Sequence, residues 1–168
     1  MKKFTLLAVI VSLNASLATA SDYSGNINLS VGHRELSSSD WEGDKSLNSL
    51  GIMTSFKEAS WPFSIALDAS LSISEDLSED NDEVSTSEYY LGLRKHWNIA
   101  PLNLNPYVGG GLAIAFASLD EEIDGKKEND LDRSVGAWVG VGANWNLVDK
   151  INIGADIRYS EADFRVHD

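Results

Sequence analysis

From Gly25 onward apolar and polar side chains alternate with a period of two, in segments of about ten residues, the spacing of a strand whose two faces meet different surroundings. Seven such segments can be read. Between Gly25 and Leu36, Ile27, Leu29 and Val31 oppose Asn26, Asn28, Ser30, Gly32 and Arg34. Between Ser46 and Phe56, Leu50, Ile52, Thr54 and Phe56 oppose Ser49, Gly51, Met53 and Ser55. The cleanest segment sets Phe63, Ile65, Leu67, Ala69, Leu71 and Ile73 against Ser64, Ala66, Asp68, Ser70 and Ser72. From Ser87 to Trp97, Tyr89, Leu91 and Leu93 face away from Glu88, Tyr90, Gly92 and Arg94. The fifth opposes Val108, Gly110, Leu112, Ile114 and Phe116 to Tyr107, Gly109, Gly111, Ala113, Ala115 and Ala117. The sixth opposes Val135, Ala137, Val139, Val141, Ala143 and Trp145 to Ser134, Gly136, Trp138, Gly140, Gly142 and Asn144. The last sets Ile151, Ile153, Ala155, Ile157 and Tyr159 against Asn152, Gly154, Asp156, Arg158 and Ser160.

A soluble sandwich alternates too, so the occupants of the second face decide the surroundings. That face holds Gly, Ala and Ser together with Arg34, Asp68, Glu88, Arg94, Asp156 and Arg158. Water favours long polar side chains, whereas a narrow closed barrel needs small residues and charges that neutralise one another. Three acids against three arginines predict a charge network inside a closed lumen, with Glu88 and Arg94 among its members, and a hydrocarbon-facing outer wall.

The connections give an independent test. Residues 57–62, 98–105 and 146–150 are short links, while 37–45, 74–86 and 118–133 are long and polar. Short periplasmic turns and long external loops are the asymmetry of a transmembrane barrel. Phe56, Trp61, Phe63, Trp97, Tyr107 and Trp145 lie beside the short turns, and Tyr89, Phe116 and Tyr159 lie at the opposite strand ends. Amphipathic rings prefer the headgroup level, so these nine residues are expected to form two interface girdles. The three long loops carry nearly all of the formal net charge of -13, which places the acidity on one rim.

Ahead of the alternating region, Lys2 and Lys3, the apolar run from Phe4 to Leu17, and Ala18-Thr19-Ala20 form the pattern of an export signal, with cleavage expected after Ala20. The run is shorter than the roughly 20 residues a spanning helix needs. The expected division is therefore a signal peptide over 1–20 and one barrel domain over 21–168. With no cysteine in the chain, a lipid-anchored cysteine, disulfides and thiolate metal sites are excluded. The acidic balance, with no basic stripe, argues against nucleic acid as a partner.

Candidate chemistry is sparse. His33 falls at the outer end of the first strand, His96 beside Trp97 near a short turn, and His167 in the tail, none beside a nucleophile signature. No catalytic residue, metal site or cofactor is expected. Gly109 to Gly111 read as relief of lumen crowding rather than as a phosphate loop. The run from Glu75 to Glu83 lacks the spacing and turn glycine of a calcium loop and reads as a solvated repulsive rim.

The leader, Pro106-Tyr107-Val108-Gly109-Gly110-Gly111, the glycine-spaced Gly136 to Gly142 strand and the ending Ile157-Arg158-Tyr159-Ser160 resemble the outer-membrane β-barrel domain family, the porin-like group that includes opacity-type, OmpA-type and OmpX-type small barrels. The resemblance implies an all-β, antiparallel up-and-down transmembrane barrel of eight strands with both termini periplasmic, placed in the outer membrane. It also implies that the assembly machinery reads a terminal aromatic residue. Here seven strands are present and the chain stops at Asp168, so the expectation is a C-terminal truncation: residues 161–168 are too few for a loop and a spanning strand. The expected partners are outer-membrane lipid and the assembly machinery, with any extracellular ligand unspecified. The expected role is structural or surface interaction, with acidic loops and a plugged lumen. Trp138 and Tyr90 would help to occlude that lumen. The alternatives are a narrow porin or small-molecule channel, and a soluble periplasmic ligand-binding barrel.

Overall fold

A computed structural model describes residues 2–13, 22–37, 46–74, 83–123, 126–148 and 151–162, with side chains over narrower ranges. The strands are β1 (Lys2–Leu13), β2 (Tyr23–Ser37), β3 (Ser46–Glu58), β4 (Ser64–Ser74), β5 (Glu83–His96), β6 (Leu104–Ile123), β7 (Lys126–Val148) and β8 (Ile151–Ala162). Each pairs antiparallel with its sequence neighbour, and β1 pairs with β8 to close the barrel. The seven segments of alternating sequence are β2 to β8.

Alternation becomes inside and outside. On β4, Leu67 is 58% exposed while Asp68 beside it is 5% exposed. Leu29, Ile52, Leu91, Leu112, Val139 and Ile157 continue the exposed apolar wall around the barrel. Arg34, Glu88, Arg94, Asp156 and Arg158 are buried. A protein in water arranges these classes the other way round, because burying charge costs far more than burying an aliphatic side chain gains. An apolar belt this continuous needs hydrocarbon against it.

The eighth position in the wall is filled by Lys2–Leu13, which forms β1 between β2 and β8. This segment does not alternate; both phases are apolar, with Leu6 and Ala8 in register with Arg158 and Asp156. Backbone pairing explains its place, since an open edge on either side leaves N–H and C=O groups unpaired in hydrocarbon. With β1 in the seam, Lys2 and Ala162 pair at the long-loop end.

The third long connection is shorter than the sequence indicates. β6 and β7 continue as a paired ribbon through Ser118↔Leu131 and Glu122↔Lys127 to Ile123↔Lys126. Continued ladder bonds satisfy the backbone there, and the density of acidic residues hides any alternation. Residues 38–45 and 75–82, the first two acidic stretches, lie outside the described residues. At the other end, the β5–β6 link closes with a 3-10 turn at Ala100–Leu102, and Asn103 takes a left-handed conformation that asparagine tolerates. The Asn103 carbonyl accepts the Asn146 N–H at 2.9 Å, tying this turn to β7.

Candidate functional site in the barrel lumen

The inward phase of six strands builds two connected layers of charge. Nearer the long-loop end, Arg34 on β2 donates to Glu88 on β5 and reaches the Thr86 hydroxyl at 3.3 Å. The Tyr90 hydroxyl donates to the other oxygen of Glu88. Nearer the short turns, Asp68 on β4 accepts Arg94 at 2.6 Å and Arg158 at 2.7 Å on the same oxygen. Its second oxygen accepts the Thr54 backbone N–H at 3.1 Å. Arg94 also donates to Ser55 Oγ at 2.9 Å, and Asp156 accepts the Tyr107 hydroxyl at 2.7 Å.

Closure fixes the direction of these bonds. In an eight-strand ring β4 and β8 stand opposite each other, so the bond between Asp68 and Arg158 crosses the whole lumen. The Arg158 guanidinium also lies 4.5 Å from the Tyr90 ring centre and 4.9 Å from that of Trp138. Tyr90 and Trp138 meet edge to face at 5.9 Å, and the Trp138 indole N–H reaches the Leu91 carbonyl at 3.3 Å. Ion pairs this buried need extra hydrogen bonds to the charges, and Ser55, Thr86, Tyr90 and Tyr107 supply part of them, although Arg94 Nε keeps no hydrogen-bond partner.

Glycines make room for the rings. A Cβ on Gly92 would come within 2.2 Å of the Gly110 carbonyl oxygen, and one on its partner Gly111 within 2.1 Å of the Leu91 oxygen. At Gly109 it would meet the Trp138 ring at 2.9 Å.

The expected network residues, Arg34, Asp68, Glu88, Arg94, Asp156 and Arg158, thus come together, but the pairing is particular. Glu88 binds Arg34, and Arg94 binds Asp68. Among the expected girdle residues, Phe56, Phe63, Trp97, Trp145 and Tyr89 are exposed on the outer surface, while Trp61, Phe116 and Tyr159 are half-buried. Tyr107 departs from that set. It is 4% exposed, turned into the lumen with its hydroxyl on Asp156 and its ring 5.1 Å from the Arg94 guanidinium. Its place on the small-residue phase of β6 is the sequence signal for this, overridden in the reading by its position beside a turn. Tyr23, missed because it precedes the first alternating residues, stacks on Phe56 at 5.3 Å. His33 is exposed at the long-loop end, His96 is half-buried beside Tyr107 at the other, and His167 lies outside the described residues. No group of metal-ligating side chains is found among the described residues.

A family model described as "Outer membrane protein beta-barrel domain" matches residues 4–167. Two similar solved structures are of Ail, the attachment invasion locus protein of Yersinia pestis. The first is 10% identical, with 96% of this chain and 97% of that chain covered and a TM-score of 0.36. The second, in complex with the heparin analogue sucrose octasulfate, is 9% identical with the same coverage and a TM-score of 0.39. No curated protein matches significantly.

Proposed function

The chain belongs to the outer-membrane protein β-barrel domain family, and from that premise we propose that it is an exported surface barrel with a structural or surface-interaction role, its acidic loops outside and its lumen closed to solutes. The observation that carries this reading is the strut across the lumen. Arg158 holds Asp68 on the opposite strand while lying over Tyr90 and Trp138, so one connected set of side chains spans the lumen from wall to wall, which supports a closed interior. An eight-stranded interior is just wide enough for side chains to fill. Catalysis forms no part of the proposal; His33 and His96 stand at opposite ends of the barrel.

The outer wall contacts lipid, and the rings at the two strand ends sit at headgroup level. Residues 1–20 leave on export with cleavage after Ala20, because retention of β1 would carry Lys2 and Lys3 to the long-loop rim, across the membrane against their charge.

Planar-bilayer recording on the refolded full-length protein tests the closed lumen. Quiet membranes are expected for the wild type, with open events when Arg158 and Trp138 are both replaced by alanine. Steady conductance in the wild type would make the narrow-channel reading the better one. Intact mass of the membrane-inserted form tests processing: a species beginning at Ser21 is expected, and one retaining Met1 to Ala20 would overturn the cleavage.

A further inference from the structure

On the proposed closed-lumen reading, the strut in the middle of the barrel leaves a vestibule at the short-turn end. This is a cavity of about 260 Å³. Its lining draws on consecutive strands: Ser24 and Asn26 from β2, Ser55 and Lys57 from β3, Ser64 from β4 and His96 from β5. All six fall on the inward phase, so the cavity is the last layer of the lumen rather than a surface crease. Pro62 and Phe63 of the β3–β4 turn complete the mouth.

The chemistry of this lining is one-sided. It contains three hydroxyls, a carboxamide, an imidazole and an ammonium, and no carboxylate. Asp22, exposed just ahead of β2 and two residues before Ser24, is an acid at the rim of this end, while the acids deeper in the wall are engaged or face elsewhere. Asp68 is held by two arginines, and Glu58 falls on the outward phase and accepts the Ser60 hydroxyl at 3.2 Å. Arg94 lies behind the Ser55 hydroxyl, with one nitrogen on Ser55 and the other on the Asp68 carboxylate that balances its charge. Two buried polar atoms at the cavity have no protein partner, His96 Nε2 and the Asn26 carboxamide oxygen. The imidazole can carry its proton on Nε2, and the carboxamide can turn its NH₂ inward, so both can act as donors. A buried polar atom without a partner is costly, and a bound acceptor met by a turn of the imidazole or carboxamide toward the cavity would remove that cost.

We propose that this vestibule binds a small tetrahedral oxyanion of the phosphate class, with Lys57 as its charged anchor, His96 and Asn26 as donors, and the serine hydroxyls completing the shell. Charge-assisted bonds from an ammonium in a partly enclosed cavity are the strong component. The site stands apart from the long-loop rim, so it is independent of any surface interaction there. The phosphate arrives either as the free ion or on a lipid headgroup reaching into the mouth.

The test uses the full-length protein refolded in an uncharged detergent and titrated with inorganic phosphate, read by the side-chain NMR signals of His96. A saturable shift of the His96 signals is expected, with sulfate competing. In Lys57→Gln, which lies at the mouth and takes no part in the strut, affinity for phosphate is expected to fall about tenfold, the loss of one charge-assisted contact. Short-chain phosphatidylglycerol distinguishes the sources: displacement of inorganic phosphate assigns the site to a headgroup, and no displacement assigns it to the free ion. A shift that never saturates, or equal affinity in wild type and Lys57→Gln, would overturn the proposal.

Discussion

The two sides of the lumen wall solve the same problem with opposite chemistry. On β2 to β5 the inward positions carry Arg34, Asp68, Glu88 and Arg94 separated by serines, threonine and asparagine, and order comes from directed bonds. On β6 and β7 the inward positions are Gly109, Gly111, Ala113, Ala115, Gly140 and Gly142, and the space they vacate is taken by Trp138 and the rings it meets. Arg158 of β8 joins the two sides, bonded to the acid of one and stacked on the rings of the other. A lumen too narrow for water to solvate its charges must satisfy them internally, and one too narrow for large residues all round must concentrate its bulk on one side. The difference teaches that the charged side is specified by partner identity and the glycine side by volume, so substitutions should fail in different ways.

The largest effect is expected at Asp68. Asp68→Asn leaves Arg94 and Arg158 buried without their shared carboxylate and should destabilise the barrel by about 3–5 kcal/mol. Urea unfolding in detergent micelles measures it. A double variant, Asp68→Asn with Arg158→Met, should cost less than the sum of the single changes, because it removes one stranded charge. Strict additivity would break the contrast between the sides. On the glycine side, Gly109→Val drives a branched side chain into the Trp138 ring, which lies 2.9 Å from where a Cβ would stand, and should cost about 1–3 kcal/mol by overpacking. Its distinguishing outcome is partial rescue by Trp138→Phe, which returns ring volume. A glycine whose cost is purely conformational would show no rescue.

How much of this was legible in the residues differs between the same two sides. Period two identified the strands β2 to β8 and their outer and inner phases, because Leu67 beside Asp68 has no other reading than two environments. Volume was legible as well, in the run Gly109 to Gly111 opposite Gly136 to Gly142. Partner choice was not: alternation gives a phase along one strand, whereas the meeting of Glu88 with Arg34 depends on the stagger around the ring. Tyr107 was misplaced for a related reason, since nearness to a turn and inward phase competed and the Asp156 carboxylate decided. The segment of β1 was legible as an export signal but not as a strand of the wall. Lys2–Leu13 has no alternation, and only backbone pairing with two neighbours places it in the wall. The length of the β6–β7 ribbon was hidden similarly, because ladder bonds are indifferent to the acidic side chains they carry.

The smallest expected effect separates charge from mere polarity on the bonded side. Ser49 and Ser70 share a hydrogen bond of 2.9 Å in the same sector as Asp68, both buried and both neutral. Ser70→Ala removes a single neutral bond and leaves a hydroxyl that can turn to another acceptor, so the loss should be about 1 kcal/mol by the same urea measurement. If it approached the cost of Asp68→Asn, hydroxyl packing would be holding this side together and the arginines would be passengers. A clear gap between the two values keeps the order of the lumen with its charges, and with Asp68 as the residue that ties β4 to β8.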